Sequence, residues 1–93
     1  MKIKSTFKVP QGKLLKIYVD VDDNKEILES IRITGDFFAY PEESISELED
    51  ILKETPFTEE DLFQTISTFI EDQHVQFIGI DAEGLTEAIM RCV

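Results

Sequence analysis

The sequence predicts an α+β fold of two layers, in which an antiparallel three-stranded sheet is covered on one face by about three helices. Two patterns carry this prediction: apolar residues alternate with polar ones over residues 3–34, and they recur at helical spacing afterwards. Strands that precede helices favour α+β over an alternating α/β architecture. A length of 93 residues is typical of one domain, so we assign residues 1–93 to a single domain.

Three strands are predicted in the first part of the chain. They cover residues 3–9, 15–21 and 27–34, separated by a turn around Pro10 and by a polar loop. Short connections of this kind favour an antiparallel meander, which leaves one polar face open to solvent or to a partner. The residues expected to face the core are Ile3, Phe7, Val9, Leu15, Ile17, Val19, Val21, Ile27, Ile31 and Ile33.

Three helices are predicted in the remainder. The first covers residues 41–54, and Pro41 suits its first turn. Thr58, with Asp61 three residues later, resembles a capping box that opens the second helix, and Asp81 can cap the third. The helical residues expected to face inward are Ile45, Leu48, Ile51, Leu52, Leu62, Ile66, Phe69, Ile70, Leu85, Ala88, Ile89 and Cys92.

The charge of the chain is large and unevenly distributed. The net charge is −11, yet residues 1–19 hold five lysines and no acid, so they carry +5, whereas the four basic and 20 acidic residues of the remainder give −16. This acidity argues against nucleic acid as a partner, because phosphate contacts need clustered lysine and arginine. The lysines either protect an edge strand or face a phosphate-bearing ligand or an acidic patch on a partner.

Sequence features also restrict location and metal binding. No apolar run approaches the ~18 residues of a membrane span, and no signal peptide is visible, so we expect a cytoplasmic protein without a membrane partner. The single Cys92 excludes an internal disulfide, and with the single His74 it cannot complete a zinc site. We therefore expect no metal. Residues 74–80 fit either a short strand or a buried connector.

Two adjacent aromatic residues follow the third strand in the stretch ITGDFFAYPEE, residues 33–43. Gly35 permits an unusual backbone angle and Asp36 can bond its own backbone, so this pair predicts a turn. Neighbouring residues of an extended segment point to opposite sides. Either the turn buries both Phe37 and Phe38, or one ring lies outside and anchors a protein interface.

The segments GKLLKIYVDVDDNKEILESIRITGDFFAYPEESISELEDIL and FIGIDAEGLTEAI resemble a known family. They are similar to the carboxy-terminal accessory domain of lipoate-protein ligases and, more narrowly, to the archaeal-type version made as a separate small subunit. The resemblance covers residues 13–88. In that family a hairpin precedes GDFF, a proline-glutamate helix start and a short G-I segment before the last helix.

This resemblance implies a function without chemistry of its own. Such a small subunit docks on a catalytic lipoate-protein ligase subunit and supports the ATP-dependent activation of lipoate to lipoyl-adenylate, which precedes transfer to lipoyl-acceptor domains. ATP, Mg and lipoate are expected in that catalytic partner, in a heterodimer, and no catalytic residue or bound cofactor is expected here. Met1 favours an independent subunit, although an excised domain is an open alternative.

The resemblance also implies which residues matter. Lys13 matches the lysine of a glycine-lysine turn and is the candidate for a phosphate-facing or interface lysine, although Gln11 stands where relatives often carry a second glycine. The signature turn, a candidate partner interface, consists of Gly35, Asp36, Phe37 and Phe38.

Two rival interpretations stay open at this point. The small α+β fold is similar to iron-sulfur assembly and sulfur-transfer proteins, but those need reactive or multiple thiols, and Cys92 lies on an apolar stripe. The chain could also be an acidic protein-binding module unrelated to lipoate. An autonomous acid-base site is disfavoured because nothing organises one around the carboxylates.

Overall fold

A computed structural model describes residues 1–8, 14–24 and 26–92. The chain forms five strands and three helices in these ranges, and the predicted α+β class is confirmed. In chain order the elements are β1 (Lys2–Lys8), β2 (Leu14–Val21), β3 (Leu28–Gly35), β4 (Phe38–Tyr40), α1 (Ser44–Leu52), α2 (Glu59–Gln73), β5 (Gln76–Ile78) and α3 (Ala82–Met90).

The main sheet has the predicted meander topology. Its strand order is β1-β2-β3, with both pairs antiparallel. The alternating residues Leu15, Ile17, Val19 and Val21 are all buried, because β2 is the central strand and turns this face toward the helices. Polar residues alternate with them on the opposite face, where they stay exposed or half-buried. The period-two pattern therefore identified the core face of the described strands, while Val9 and the predicted turn around Pro10 lie outside the described residues.

One residue of the predicted core is placed wrongly at the start of β3. The register shifts between Asp20 and Val21, so that Val21 pairs with Leu28 while Asp20 pairs with Ser30. The extra residue reverses the alternation there, as a β-bulge does. Leu28 is consequently fully buried, whereas Ile27, expected in the core, is 41% exposed.

The three helices cover the apolar face of the main sheet. α1 lies against β3, α3 lies against β1 and β2, and α2 packs on both of these helices. Among the helical residues predicted to face inward, only Ile51 is exposed, with 47% of its surface accessible. The fully buried side chains of the resulting core are Leu15, Ile17, Val21, Leu28, Leu48, Leu52, Leu62, Ile66, Leu85, Ile89 and Cys92.

The predicted caps of α2 and α3 are present. The Thr58 hydroxyl oxygen accepts a hydrogen bond from the Asp61 N–H at 3.2 Å, and the Asp81 carboxylate accepts one from the Gly84 N–H at 2.7 Å. The Asp61 carboxylate accepts from the Thr58 hydroxyl rather than from the Thr58 N–H, so only half of the capping box forms. These bonds satisfy backbone donors that a helix leaves free at its start.

The first helix begins later than predicted. Pro41 lies in a turn before α1, after a cis Tyr40–Pro41 peptide bond, and the Ser44 N–H donates to the Pro41 carbonyl oxygen at 3.0 Å. Tyr40 is extended because it pairs with Gln76, and a residue before proline disfavours the helical region. The helix therefore starts only at Ser44, where the chain has left the strand.

A second sheet of two strands was not predicted. β4 pairs with β5 in antiparallel register. Of the two interpretations of residues 74–80, the short strand is therefore correct, and it consists of residues 76–78. His74 precedes it as the left-handed C-cap of α2, at φ 52°, where its backbone N–H donates to the Ile70 carbonyl oxygen. We call the β4–β5 pair the ribbon.

Candidate functional site

The backbone of the signature turn depends on a glycine. Gly35 has φ +147°, and a β-carbon added there would lie 2.3 Å from the Leu14 carbonyl oxygen. That oxygen accepts the Asp36 N–H at 2.9 Å, so the backbone of Asp36 continues the ladder of the main sheet. Within the described ranges the Asp36 side chain makes no hydrogen bond, so the expected side-chain bond of this turn is not formed. Gly35, and not Asp36, sets the bend.

A second glycine brings β5 against this turn. Gly79 has φ +96°, and a β-carbon there would approach the Asp36 carbonyl oxygen to 3.2 Å. It directly follows β5, whose Ile78 pairs with Phe38. Close approach of two backbones is a common reason for glycine at such positions. β5, with Gly79 after it, and the signature turn therefore form one structural unit.

The two adjacent phenylalanines occupy different environments. Phe37 is half-buried and packs against the core cluster, whereas Phe38 is 66% exposed. This resolves the alternatives left by the sequence: only one ring is inside. The reason is strand geometry, since Phe38 begins β4 and successive side chains of a strand point to opposite sides.

The ribbon presents a mainly apolar face to solvent, in which Gln76 is the one polar position. Phe38 and Tyr40 lie on the same side of β4, and Ile78 is the cross-strand partner of Phe38. Tyr40 is 53% exposed and Ile78 is 47% exposed. Ala39, between Phe38 and Tyr40 in β4, is buried on the opposite side. We call Phe38, Tyr40 and Ile78 the ribbon face. Sequence reasoning missed Tyr40 and Ile78, although the F-A-Y alternation carries a strand signal.

A shallow depression lies beside the ribbon face. Its volume is about 370 Å³, and Gly35, Phe37 and Phe38 line it together with Glu42 and Ile45 at the start of α1. An apolar side chain of another protein could enter it next to the Phe38 ring. Exposed aromatic groups beside a depression are typical of protein interfaces.

The polar face of the main sheet is a second distinct surface. Of the described strands, β1 contributes three lysines to it, β2 contributes Lys16 and Tyr18, and β3 contributes Arg32. All of these side chains are exposed. We call this surface the open sheet face. Lys13, the candidate phosphate-facing lysine, lies outside the described residues.

The remaining candidate groups do not assemble a reactive site. Cys92 is fully buried two residues after α3, and its Sγ lies 4.0 Å from the Ile17 carbonyl oxygen. Burial raises the pKa of this thiol, and a hydrogen bond with Ser5 opposes the rise. A buried, protonated thiol is a poor nucleophile. Within the described ranges no group of three histidine, cysteine or acidic side chains is arranged to hold a metal ion.

None of the described helices is both long enough and apolar enough to cross a membrane.

Comparisons with known proteins agree with the resemblance found in the sequence. A relative from Thermoplasma acidophilum, lipoate-protein ligase A subunit 2, is 30% identical over 92 residues, a match covering 96% of this chain and 88% of the relative. A solved structure of an archaeal lipoylation system from the same organism, a bi-partite lipoate protein ligase and its E2 lipoyl domain, contains a chain with a TM-score of 0.78 at 30% identity. That match covers 96% of this chain and 94% of the other.

The family assignment covers nearly the whole chain. Residues 2–89 match the family described as bacterial lipoate protein ligase C-terminus. The resemblance to the separate small subunit of archaeal-type ligases is confirmed by the same three comparisons. The chain therefore belongs to the family of lipoate-protein ligase C-terminal domains.

Proposed function

We propose that this chain is the small subunit of a two-part lipoate-protein ligase, which docks on a catalytic subunit and enables the ATP-dependent activation of lipoate to lipoyl-adenylate. The observation that carries this proposal is the match, along nearly its whole length, to a relative that is itself a separate ligase subunit. The exposed ribbon face supports it, because a surface of this kind needs a partner.

The ribbon face is the proposed docking surface for the catalytic subunit. Phe38, Tyr40 and Ile78 form an apolar centre on a two-stranded support, whose backbone depends on the glycines at positions 35 and 79. Burying exposed aromatic rings supplies most of the binding energy in many interfaces. A preformed surface also loses little conformational entropy on binding. These properties favour a lasting association between subunits.

The contribution of this chain to the reaction is to order the catalytic subunit, in the cytoplasm where ATP is available. ATP, Mg and lipoate bind to that subunit in our proposal, and the small subunit closes over its active site or orders a loop there. Closure excludes water and fixes positive charge near the phosphates, both of which favour adenylation. Lys13 remains the proposed direct electrostatic contributor. The lipoyl group then passes to a lysine of an acceptor domain.

Adenylate formation by the catalytic subunit, measured with and without this chain, tests the proposal. We expect the chain to bind in a 1:1 complex and to raise the rate of lipoyl-adenylate formation. Phe38→Ala should weaken the complex by about 2 kcal/mol, or roughly thirtyfold in Kd, as for an interface hot spot. Phe63→Ala is the matched control, because Phe63 is 43% exposed on α2, outside the ribbon.

The outcomes separate docking from electrostatic assistance. Equal binding by the Phe38→Ala and Phe63→Ala variants would place the docking surface elsewhere. A catalytic subunit that forms adenylate at full rate alone would refute the supporting function itself. Lys13→Ala, assayed at saturating concentration, should slow adenylation without weakening the complex, and an unchanged rate would remove Lys13 from the proposal.

A further inference from the structure

The unpaired positive charge of the described chain is gathered on one surface. Two of its basic side chains pair with neighbouring carboxylates: Lys53 with Asp50 at 3.5 Å and Arg91 with Glu87 at 3.1 Å. No carboxylate of residues 1–8, 14–24 or 26–92 forms an ion pair with any of the others. Those five cations all lie on the open sheet face: Lys2, Lys4, Lys8, Lys16 and Arg32.

The strand register brings these cations close to one another. Lys4, Tyr18 and Arg32 stand directly opposite one another across three strands, and the Lys4 Nζ lies 5.7 Å from the centre of the Tyr18 ring. Lys16 occupies the neighbouring row on β2. A groove of about 730 Å³ lies along these strands, and α1 borders it with Glu49 and Asp50. The unpaired cations therefore lie on the strands, around the exposed Tyr18 ring, whereas α1 places carboxylates at the border of the groove.

The opposite side of the molecule has the reverse charge. α1, α2 and α3 contain three, five and two acidic residues and no basic residue between their first and last positions. Two acids lie on the exposed side of these strands: Asp20, which is paired with the amino terminus, and Glu29 at the bulge of β3. Like charges close together on one face raise the free energy of the unbound protein, and an opposing charge relieves this cost.

We propose that the open sheet face docks an acidic surface of the protein that receives the lipoyl group. The cations are spread over three strands of the sheet, so they match a broad acidic surface better than a compact phosphate. A nucleic acid is a long anion that would extend past this face onto the acidic helices, whereas an acidic protein patch of limited size contacts the five cations alone.

The choice of the acceptor over the catalytic subunit follows from the chemistry of the two surfaces, and it rests on the proposed function. A permanent subunit suits the apolar ribbon face. A charged, hydrated surface instead accelerates encounter and gives specificity without tight retention, which suits a protein that binds and leaves in each catalytic cycle. The two surfaces thus serve two partners.

The experiment compares two variants with the same change of net charge. Lys4→Gln, Lys16→Gln and Arg32→Gln together remove three positive charges from the open sheet face. Ser46→Glu, Gln64→Glu and Thr68→Glu together add three negative charges to exposed positions on α1 and α2.

Each variant is assembled with the catalytic subunit and assayed on an E2 lipoyl domain at ionic strengths of about 0.01 M and 0.15 M, over which the screening length falls from about 30 Å to about 8 Å. The first variant should raise KM for the acceptor about tenfold or more at low salt, lose most of its salt dependence, and leave adenylate formation unchanged. The control variant should keep the KM for the acceptor and the salt dependence of the unmodified chain.

Several outcomes would overturn the inference. These are equal KM values for the two variants, an acceptor domain without an acidic surface, salt-sensitive binding of RNA, or self-association abolished by the first variant alone. Direct titration of the isolated chain with the E2 lipoyl domain reports docking even if the chain has no effect on adenylation. Failure of this inference and failure of the proposed function are therefore distinguishable.

Discussion

The ribbon face and the open sheet face are built in opposite ways. The ribbon face consists of apolar side chains on two short strands that require special backbone angles at Gly35 and Gly79. The open sheet face consists of charged side chains on regular strands whose other side forms the core. The ribbon is therefore sensitive to changes in its backbone, whereas the open sheet face depends on the chemistry of its side chains.

Both surfaces lie on strands whose edges would otherwise be open. The outer edge of β3 is partly closed by α1, since the Ile33 N–H donates to the Glu49 carboxylate at 2.7 Å. Charged side chains at a sheet edge discourage pairing with another sheet. The Ile33 N–H at the edge of the sheet is therefore hydrogen-bonded within the chain, while the face of the sheet remains open to a partner.

Gly35→Ala should lower the free energy of unfolding more than any of the other variants discussed below. The added β-carbon would meet the Leu14 carbonyl oxygen at 2.3 Å, in a backbone region that residues with a side chain avoid. We expect a loss of about 3 kcal/mol or more in the free energy of unfolding, measured by urea denaturation. Gly84→Ala, within α3, is the control and should be neutral or stabilising by up to about 1 kcal/mol. Equal stability of the two variants would mean that Gly35 does not fix the ribbon.

The adjacent phenylalanines should respond differently to truncation. Phe37→Ala removes a half-buried ring from the core cluster and should cost about 2 kcal/mol of stability. Phe38→Ala removes an exposed ring and should change stability by less than about 0.5 kcal/mol, while weakening the complex. Thermal denaturation of both variants makes this comparison. A larger loss for Phe38→Ala would contradict the burial assignment.

Cys92→Ser should cost about 1 to 2 kcal/mol, because it buries a hydroxyl group in an apolar site, and should leave adenylation unchanged. The pKa of Cys92 is raised by burial, so the folded state keeps its proton where the unfolded state has lost it. The resulting stability is complete below pH 9.0, the ordinary pKa of a cysteine thiol, and falls as pH rises from there through the folded pKa. Denaturation across this range, with Cys92→Ser as the control, measures it.

A functional defect in a well-folded Cys92→Ser variant would revive the sulfur-transfer interpretation. It would also place chemistry outside both surfaces.

Neutralising the open sheet face should give the smallest change in stability. Lys4→Gln, Lys16→Gln and Arg32→Gln together should alter the free energy of unfolding by no more than about 0.5 kcal/mol, since the side chains are exposed and make no ion pair within the described chain. Urea denaturation at low salt checks this. A marked loss of stability would show that the charges support the fold rather than a partner.

The sequence predicted where along the chain the candidate site lies. It predicted less well which side chains form the exposed surface of that site. The GDFF segment predicted the turn and indicated the family, because both depend on four consecutive residues and not on contacts with distant parts of the chain. Which ring lies outside depended on β4, whose three residues were too few to predict. Tyr40 and Ile78 joined the site only through strand pairing.

Neighbouring residues were enough to predict the three strands of the meander, the caps at Thr58 and Asp81, and the charge imbalance. The bulge that buries Leu28 and the pairing of Phe38 with Ile78 are visible only in the folded chain. Periodicity reports which side of a segment is buried. It does not report which distant segment will lie beside it, since that depends on how all the helices pack on the sheet.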